Sequence, residues 1–210
     1  MANWTREQSD RICAIRDEIL KMGSDNFNRF GGEFEGGIHL QKDPMEYAQL
    51  IVFLQSKENP PKSFLEIGSA AGGGCFALHH YLNFNRIVIM DDNNHVKSPM
   101  REQVLAEVDR KEYIGDAHSE DALNYIKGGN KFDLILIDAD QTYDGTLSFI
   151  DTYMEFLEEG GILVLHNITE SSCSGVGQVD MLVSKGYKDY KVIEKFTTCR
   201  GRLGLGLYSK

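Results

Sequence analysis

Cysteine is scarce and scattered: Cys13, Cys75, Cys173 and Cys199 stand far apart in 210 residues, with no C-x-x-C pair among them. That spacing offers neither a zinc ribbon nor a framework of bridges, so four thiols in a reducing compartment, the cytoplasm, are expected. Positive charge is short as well, 22 basic residues against 32 acidic ones, for a formal charge of −10. A surface that tracks phosphate needs the opposite balance, which disfavours nucleic acid as a partner. No apolar run approaches the roughly 18 residues of a spanning helix. The first turns are charged throughout, with Arg6, Glu7, Asp10, Arg11, Arg16, Asp17 and Glu18. Neither export nor membrane insertion is therefore expected. There is no internal repeat, low-complexity run or second domain. One α/β folding unit is expected, with helices and a substrate-side loop over residues 1–61 and the ligand-binding domain over 62–210.

What is present is a rhythm. Thr5 with Gln8 forms a capping box for a helix whose apolar stripe is Ile12, Ile15, Ile19 and Leu20. Gly23–His39 is rich in Gly and Asn, with Phe27, Phe30 and Phe34 interspersed, and reads as an aromatic loop lying over a site or anchored to the core. Asp43 as cap and Pro44 at the first turn announce a second helix with Tyr47, Leu50, Ile51 and Leu54 inward. Beyond Pro60-Pro61, strand candidates at Phe64–Ile67, Ile87–Met90, Glu112–Gly115, Phe132–Asp138 and Ile162–His166 alternate with helical patterns. Tyr143–Leu157 is the clearest helix, and another follows near Gly177–Ser184. The last two runs, Tyr190–Phe196 and Leu203–Tyr208, have no helix between them. The pattern predicts a doubly wound, Rossmann-like sheet of seven strands with helices on both faces, parallel except for an antiparallel last strand at or near the edge.

In such a sheet ligands bind beyond the carboxyl ends of the strands. The first strand runs into Glu66-Ile-Gly68-Ser69-Ala-Ala-Gly72-Gly-Gly74, a glycine turn on which main-chain amides can approach a ligand. Glu66 suits a ligand carrying an ammonium or sulfonium charge better than a pyrophosphate. Asp91, after the second strand, suits a ribose diol. The other ends are Asp116-Ala117-His118, Asp138-Ala-Asp140 and His166-Asn167. Gly72-x-Gly74-x-x-Ala77 also matches a dinucleotide fingerprint, but in poor register, because its first glycine should follow the strand at once.

Glu66-x-Gly68-x-x-x-Gly72-x-Gly74 resembles motif I of class I S-adenosylmethionine-dependent methyltransferases. Asp138-Ala-Asp140-Gln-Thr-Tyr143 and Glu159-Gly-Gly-Ile-Leu-Val-Leu-His166-Asn167 are similar to the small-molecule O-methyltransferases, of the catechol and caffeoyl-CoA type and of the antibiotic-sugar type. The resemblance implies that residues 62–210 bind S-adenosylmethionine. It places Gly68, Ser69, Gly72 and Gly74 on the methionine part, Glu66 at its ammonium group or ordering the loop, and Asp91 on the ribose. Asp116, Ala117 and His118 would frame the adenine, with Asp138 on the far side. In the catechol type an aspartate and an Asp-Asn pair hold magnesium. Asp138 and Asn167 match two of those ligands, while His166 stands in place of the third. Imidazole suits manganese, zinc or iron better than magnesium. Gln141 replaces the lysine that takes the substrate proton there, which leaves His166 as a candidate general base. The expected catalytic set is then His166, Asp138 and Gln141, acting on a small-molecule acceptor.

Plainer roles compete. Asp91 and Asp92 can be turn formers, Asp116 with Ser119 and Asp140 can cap helices, and His79, His80 and His95 have packing or surface roles. His39, beside the glycine-rich loop, is a structural residue or a substrate contact. Two other functions remain open at this point: a ligand-binding relative without chemistry, and a tRNA nucleoside methyltransferase. An open sheet edge would support a homodimer.

Overall fold

In the computed structural model, residues 3–25, 29, 34–129, 131–169, 175–198 and 203–210 are described. Phe27, Phe30, Cys173 and Cys199 fall outside them. The chain separates into two compact units that interleave along the sequence: residues 1–60, 69–83 and 93–108 form the first, and 61–68, 84–92 and 109–210 the second. The chain crosses between the units at 60/61 and again later, because the segments after the first two strands return to the N-terminal unit.

The first unit contains α1 (Arg6–Met22), α2 (Pro44–Gln55), α3 (Gly73–Leu82) and the short α4 (Arg101–Val104). Thr5 and Gln8 form the predicted capping box, and Ile12, Ile15 and Ile19 are buried, three successive turns of one stripe. Leu20, at the edge of that stripe, is half-buried. In α2, Asp43 accepts from the Met45 amide, Pro44 opens the helix, and Tyr47, Leu50, Ile51 and Leu54 are fully buried. The Tyr81 hydroxyl donates to Glu18, and Gln55 Nε2 donates to the Tyr81 carbonyl, tying α1 and α2 to α3.

The second unit holds the sheet: β1 (Ser63–Ile67), β2 (Arg86–Asp91), β3 (Lys111–Ile114), β4 (Phe132–Ile137), β5 (Leu157–His166), β6 (Lys191–Phe196) and β7 (Leu205–Ser209). The strand order is β3-β2-β1-β4-β5-β7-β6. The pairs from β3 across to β5 are parallel, and β7 is antiparallel to both its neighbours. The predicted antiparallel last strand therefore lies one in from the edge, with β6 outside it. The order reverses between β1 and β4, the mark of a doubly wound sheet.

Three helices follow strands in this unit: α5 (Glu120–Ile126), α6 (Tyr143–Tyr153) and α7 (Gly175–Ser184). Their buried faces form one core with Leu65, Ile67, Val88, Met90, Ile135, Ile137, Leu163 and Leu165 from one face of the sheet. Those sheet residues alternate with Phe64, Glu66, Ile89, Leu134, Leu136 and Val164, which are buried too. Strands buried on both faces read as continuous apolar runs, which is why they were visible in the sequence. The expected helix Tyr143–Leu157 stops at Tyr153. Met154–Phe156 is a 3-10 turn, and Leu157 opens β5 opposite Phe132. Asp180 of α7 accepts from the Tyr208 hydroxyl and lies 2.6 Å from Lys195 Nζ, fastening that helix to β6 and β7.

Candidate active site

The parallel ladders place the strand ends level. Ile67 pairs with Ile137 and Ile137 with Leu165, so Gly68, Asp138 and His166 lie one step beyond the last pairs of β1, β4 and β5. The ladder runs on into this row, since the Asp138 amide donates to the Ile67 carbonyl at 2.8 Å. Strand period then puts Glu66, Asp138 and His166 on one face of three neighbouring strands, opposite the face that packs α5, α6 and α7. Gly68 marks the switch point between β1 and β4. Its φ is +82°, and a Cβ there would lie 2.2 Å from the Asp138 carbonyl oxygen, so the two strand ends close against each other only because the residue is glycine.

Around Asp138 three predicted residues come together. His166 is 4% exposed, and its Nδ1 lies 3.0 Å from Asp138 Oδ1, an ion-pair contact without the alignment of a directed hydrogen bond. Gln141 Nε2 donates to the same Oδ1 at 3.3 Å and to the Ala139 carbonyl at 3.1 Å. Asn167 Nδ2 donates to Gln141 Oε1 at 3.1 Å, and Asn167 adopts a left-handed φ of 69°. Gly175 fixes the 141–143 turn from below, its amide donating to the Gln141 carbonyl at 2.9 Å. This donor set is poor for a hard divalent cation such as magnesium. It offers one carboxylate, whose Oδ1 is engaged by an imidazole and an amide, and hard cations take several oxygens. No group of three His, Cys, Asp or Glu able to hold an ion occurs among the described residues. Both His166 ring nitrogens are buried without a hydrogen-bond partner, and the metal expectation for Asp138, Asn167 and His166 is not shown by these contacts.

The other strand ends divide between ligand and scaffold roles. Glu66 is fully buried and Asp91, the last residue of β2, nearly so. Asp116 spends its carboxylate on its own turn, Oδ1 accepting from the His118 amide at 2.8 Å, while Ser119 caps α5. Ala117 is buried and its carbonyl accepts from the Tyr153 hydroxyl at 2.7 Å. The His118 ring stacks on Phe149 with centroids 3.8 Å apart, leaving a flat exposed surface. Asp140 belongs to the scaffold: it accepts from the Thr142 amide, which holds its carboxyl below the usual range, and Thr142 itself caps α6.

In the first unit the glycine turn is held by residues the sequence did not single out. Gly72 donates to the Ser69 carbonyl at 2.8 Å and stands as the N-cap of α3 at φ +84°, with Gly74 buried in the first turn. Arg101, 3% exposed, donates from Nη1 to the Ala70 carbonyl at 2.8 Å and from Nη2 to Asn93 Oδ1. A Cβ on Gly72 would meet Leu105 Cδ1 at 2.8 Å. Arg101 sits thirty-one residues from its carbonyl partner in an ordinary-looking polar stretch, and no local signal marks it. His79 and His80 lie within α3 as expected, and burial pushes His79 down. His95 is exposed and accepts from the Lys97 amide.

The architecture and the switch-point site define a Rossmann-like fold of the methyltransferase type. Residues 65–168 match the model of a family described as a methyltransferase domain. That stretch runs from β1 to just past β5, the segment that carries the second unit's candidate site, and it is similar to a methyltransferase domain. Solved structures similar over the whole chain agree on the fold. The O-methyltransferase TomG from Streptomyces achromogenes, in complex with SAM, is 17% identical with a TM-score of 0.66, covering 100% of this chain and 99% of that one. An O-methyltransferase from Bacillus cereus in complex with SAH is 14% identical, TM-score 0.62, over 100% and 94% of the two chains. The N-methyltransferase NodS from Bradyrhizobium japonicum WM9 in complex with SAH is 14% identical, TM-score 0.59, over 97% and 96%. No curated protein sequence matches the chain. No helix among the described residues is long and apolar enough to cross a membrane.

Proposed function

We propose that the chain transfers the methyl group of S-adenosylmethionine to a hydroxyl oxygen of a small-molecule acceptor by direct in-line displacement. The observation that carries this reading is the shared face of Glu66, Asp138 and His166 on β1, β4 and β5, with Asp138 and His166 level with the Cβ-free turn at Gly68. S-adenosylmethionine, when bound, supplies an electrophilic methyl carbon and a neutral thioether as leaving group. Glu66 meets the ammonium charge, Asp91 accepts from the ribose hydroxyls, and Ala117 with the exposed His118 ring borders the adenine. Gly68, Ser69, Gly72 and Gly74 present backbone to the methionine part.

Because the fold is shared by O- and N-methyltransferases, the acceptor atom rests on the site. His166, with Nδ1 turned to Asp138, keeps Nε2 for a proton, and a hydroxyl is the acceptor that must lose one. The acceptor oxygen forms its C–O bond as the C–S bond breaks, the electron pair stays on sulfur, and the proton passes to His166 Nε2. Asp138 then stabilises the imidazolium, and Gln141 and Asn167 keep Asp138 in place. The acidic balance supports a small acceptor over tRNA. A reducing cytoplasmic setting and a homodimer through a sheet edge, β3 or β6, complete the proposal.

Calorimetry with S-adenosylmethionine and S-adenosylhomocysteine tests the cofactor, with binding of both expected at micromolar concentration. Absence of binding up to millimolar concentration overturns the reading, and binding without turnover on phenols, sugars or hydroxy acids favours a non-catalytic relative. Exhaustive EDTA treatment is expected to leave methyl transfer unchanged, since in this reading His166 rather than an ion takes the acceptor's proton.

A further inference from the structure

A second Asp–His pair lies in the first unit, unused by the reaction as described. His39 Nδ1 stands 2.6 Å from Asp25 Oδ1, and Lys97 Nζ lies 3.5 Å from the same oxygen. Gln41 Nε2 donates to Asp25 Oδ2 at 3.2 Å. Burial pushes the Asp25 carboxyl up, but the hydrogen bonds from His39 and Gln41 and the nearby Lys97 charge outweigh it and hold it below its ordinary value. An ionised Asp25 orients the imidazole with its hydrogen on Nδ1. Nε2, the other nitrogen bonded to Cε1, then keeps its lone pair, so it is a site for a hydroxyl donor.

Where this imidazole sits gives it a use. The His39 side chain is 18% exposed, neither sealed in the core nor free in solvent. Its backbone has a φ of 53°, a left-handed conformation that non-glycine residues adopt seldom and at some cost. The residues on either side press on the start of α3: a Cβ on Gly73 would lie 2.3 Å from the Ile38 carbonyl oxygen and 3.0 Å from the Leu40 amide nitrogen. Gly73 follows directly on Ser69–Gly72, so the loop that presents His39 is seated on the glycine turn itself, inside one compact unit. A loop that merely closed over the core would need neither an ion pair on its histidine nor a missing Cβ beneath it.

We propose that His39 is an acceptor-binding residue: its Nε2 accepts a hydrogen bond from a hydroxyl of the methyl acceptor, with Asp25, Gln41 and Lys97 fixing the ring. This rests on the methyl-transfer reading of the glycine turn, whose residues 69–74 lie in the same unit as His39. The test uses the full-length protein saturated with S-adenosylhomocysteine and two probes, catechol for an aromatic hydroxyl and methyl α-L-rhamnopyranoside for a sugar hydroxyl. In long-range 1H–15N imidazole spectra, the Nε2 resonance of His39, assigned by its loss in His39→Leu, is expected to shift with at least one probe below 50 mM. For that probe His39→Leu is expected to weaken binding at least tenfold and His39→Gln to restore part of it, with thermal stability and S-adenosylhomocysteine affinity held near the wild-type values. Failure of the wild type to bind S-adenosylhomocysteine overturns the methyl-transfer reading together with this one. A normal S-adenosylhomocysteine complex whose His39 responds to neither probe, or whose probe affinity is unchanged in His39→Leu, overturns the role of His39 alone.

Discussion

Gly68→Ala weakens cofactor binding at least 100-fold and destabilises the chain by about 3 kcal/mol, the sum of a left-handed backbone penalty and a steric one. The residue stands at φ +82°, where a Cβ is strained whatever the space around it. Space is also missing, because the new atom would lie 2.2 Å from the Asp138 carbonyl oxygen and 3.0 Å from the Ala139 Cα. Both neighbours are backbone at the end of a central strand, so relief must part β1 from β4 at the point where the turn is proposed to meet the methionine part. A tenth of an ångström does not suffice, and calorimetry is expected to read a loss of at least 100-fold in S-adenosylmethionine affinity, about 2.7 kcal/mol. Gly128→Ala is the control. Gly128 has a similar φ of +85°, but nothing lies within 4 Å of its Cβ position. That variant should show the conformational penalty alone, about 1 kcal/mol in urea unfolding, with cofactor affinity intact. Equal cofactor affinity in Gly68→Ala and wild type would remove this turn from the binding site.

The contrast between Gly68 and Arg101 shows what a sequence can carry. Gly68 ends an apolar run and begins a glycine-rich turn, so both its place and its reason are local. The strands were legible because residues such as Leu65 and Ile67 on one face and Phe64 and Leu136 on the other are all buried, giving runs that no amphipathic helix would show. Caps were legible for the same reason: Thr5, Asp43 and Ser119 bond within three residues of themselves. Leu157 misled because an apolar residue three beyond Met154 fits a helix as well as the start of a buried strand, and only pairing with Phe132 decides between them. Arg101 on Ala70, and Asp25 on His39, are contacts between segments remote in sequence, so neither partner is marked by its neighbours. The Asp138 set was half legible. Its members were named from their strand ends, but that Gln141 bridges Asp138 and Asn167 follows from two turns folding together.

His166→Ala is expected to lower kcat by about 100- to 1,000-fold while leaving the S-adenosylmethionine dissociation constant within a few-fold of wild type. The reasoning is that Nδ1 faces Asp138 Oδ1 at 3.0 Å, so the pair can hold a proton that neither Gln141 nor Asn167 can accept. Asp138→Asn should fall nearly as far, because an amide at that position no longer stabilises an imidazolium. The diagnostic quantity is the double variant. If the two residues act as one unit, His166→Ala combined with Asp138→Asn loses little more than the worse single change, whereas independent contributions multiply. Stability separates this from simple packing: His166 is buried, and its loss leaves Asp138 without its imidazole partner at a cost of about 1–3 kcal/mol, which unfolding measurements read directly. His166→Gln fills most of the volume and restores a donor toward Asp138, yet its side chain has no proton acceptor effective near neutrality. It should therefore recover stability without recovering turnover, and a variant that regained both would show that His166 only supports the strand end, with the acceptor's proton leaving by another route.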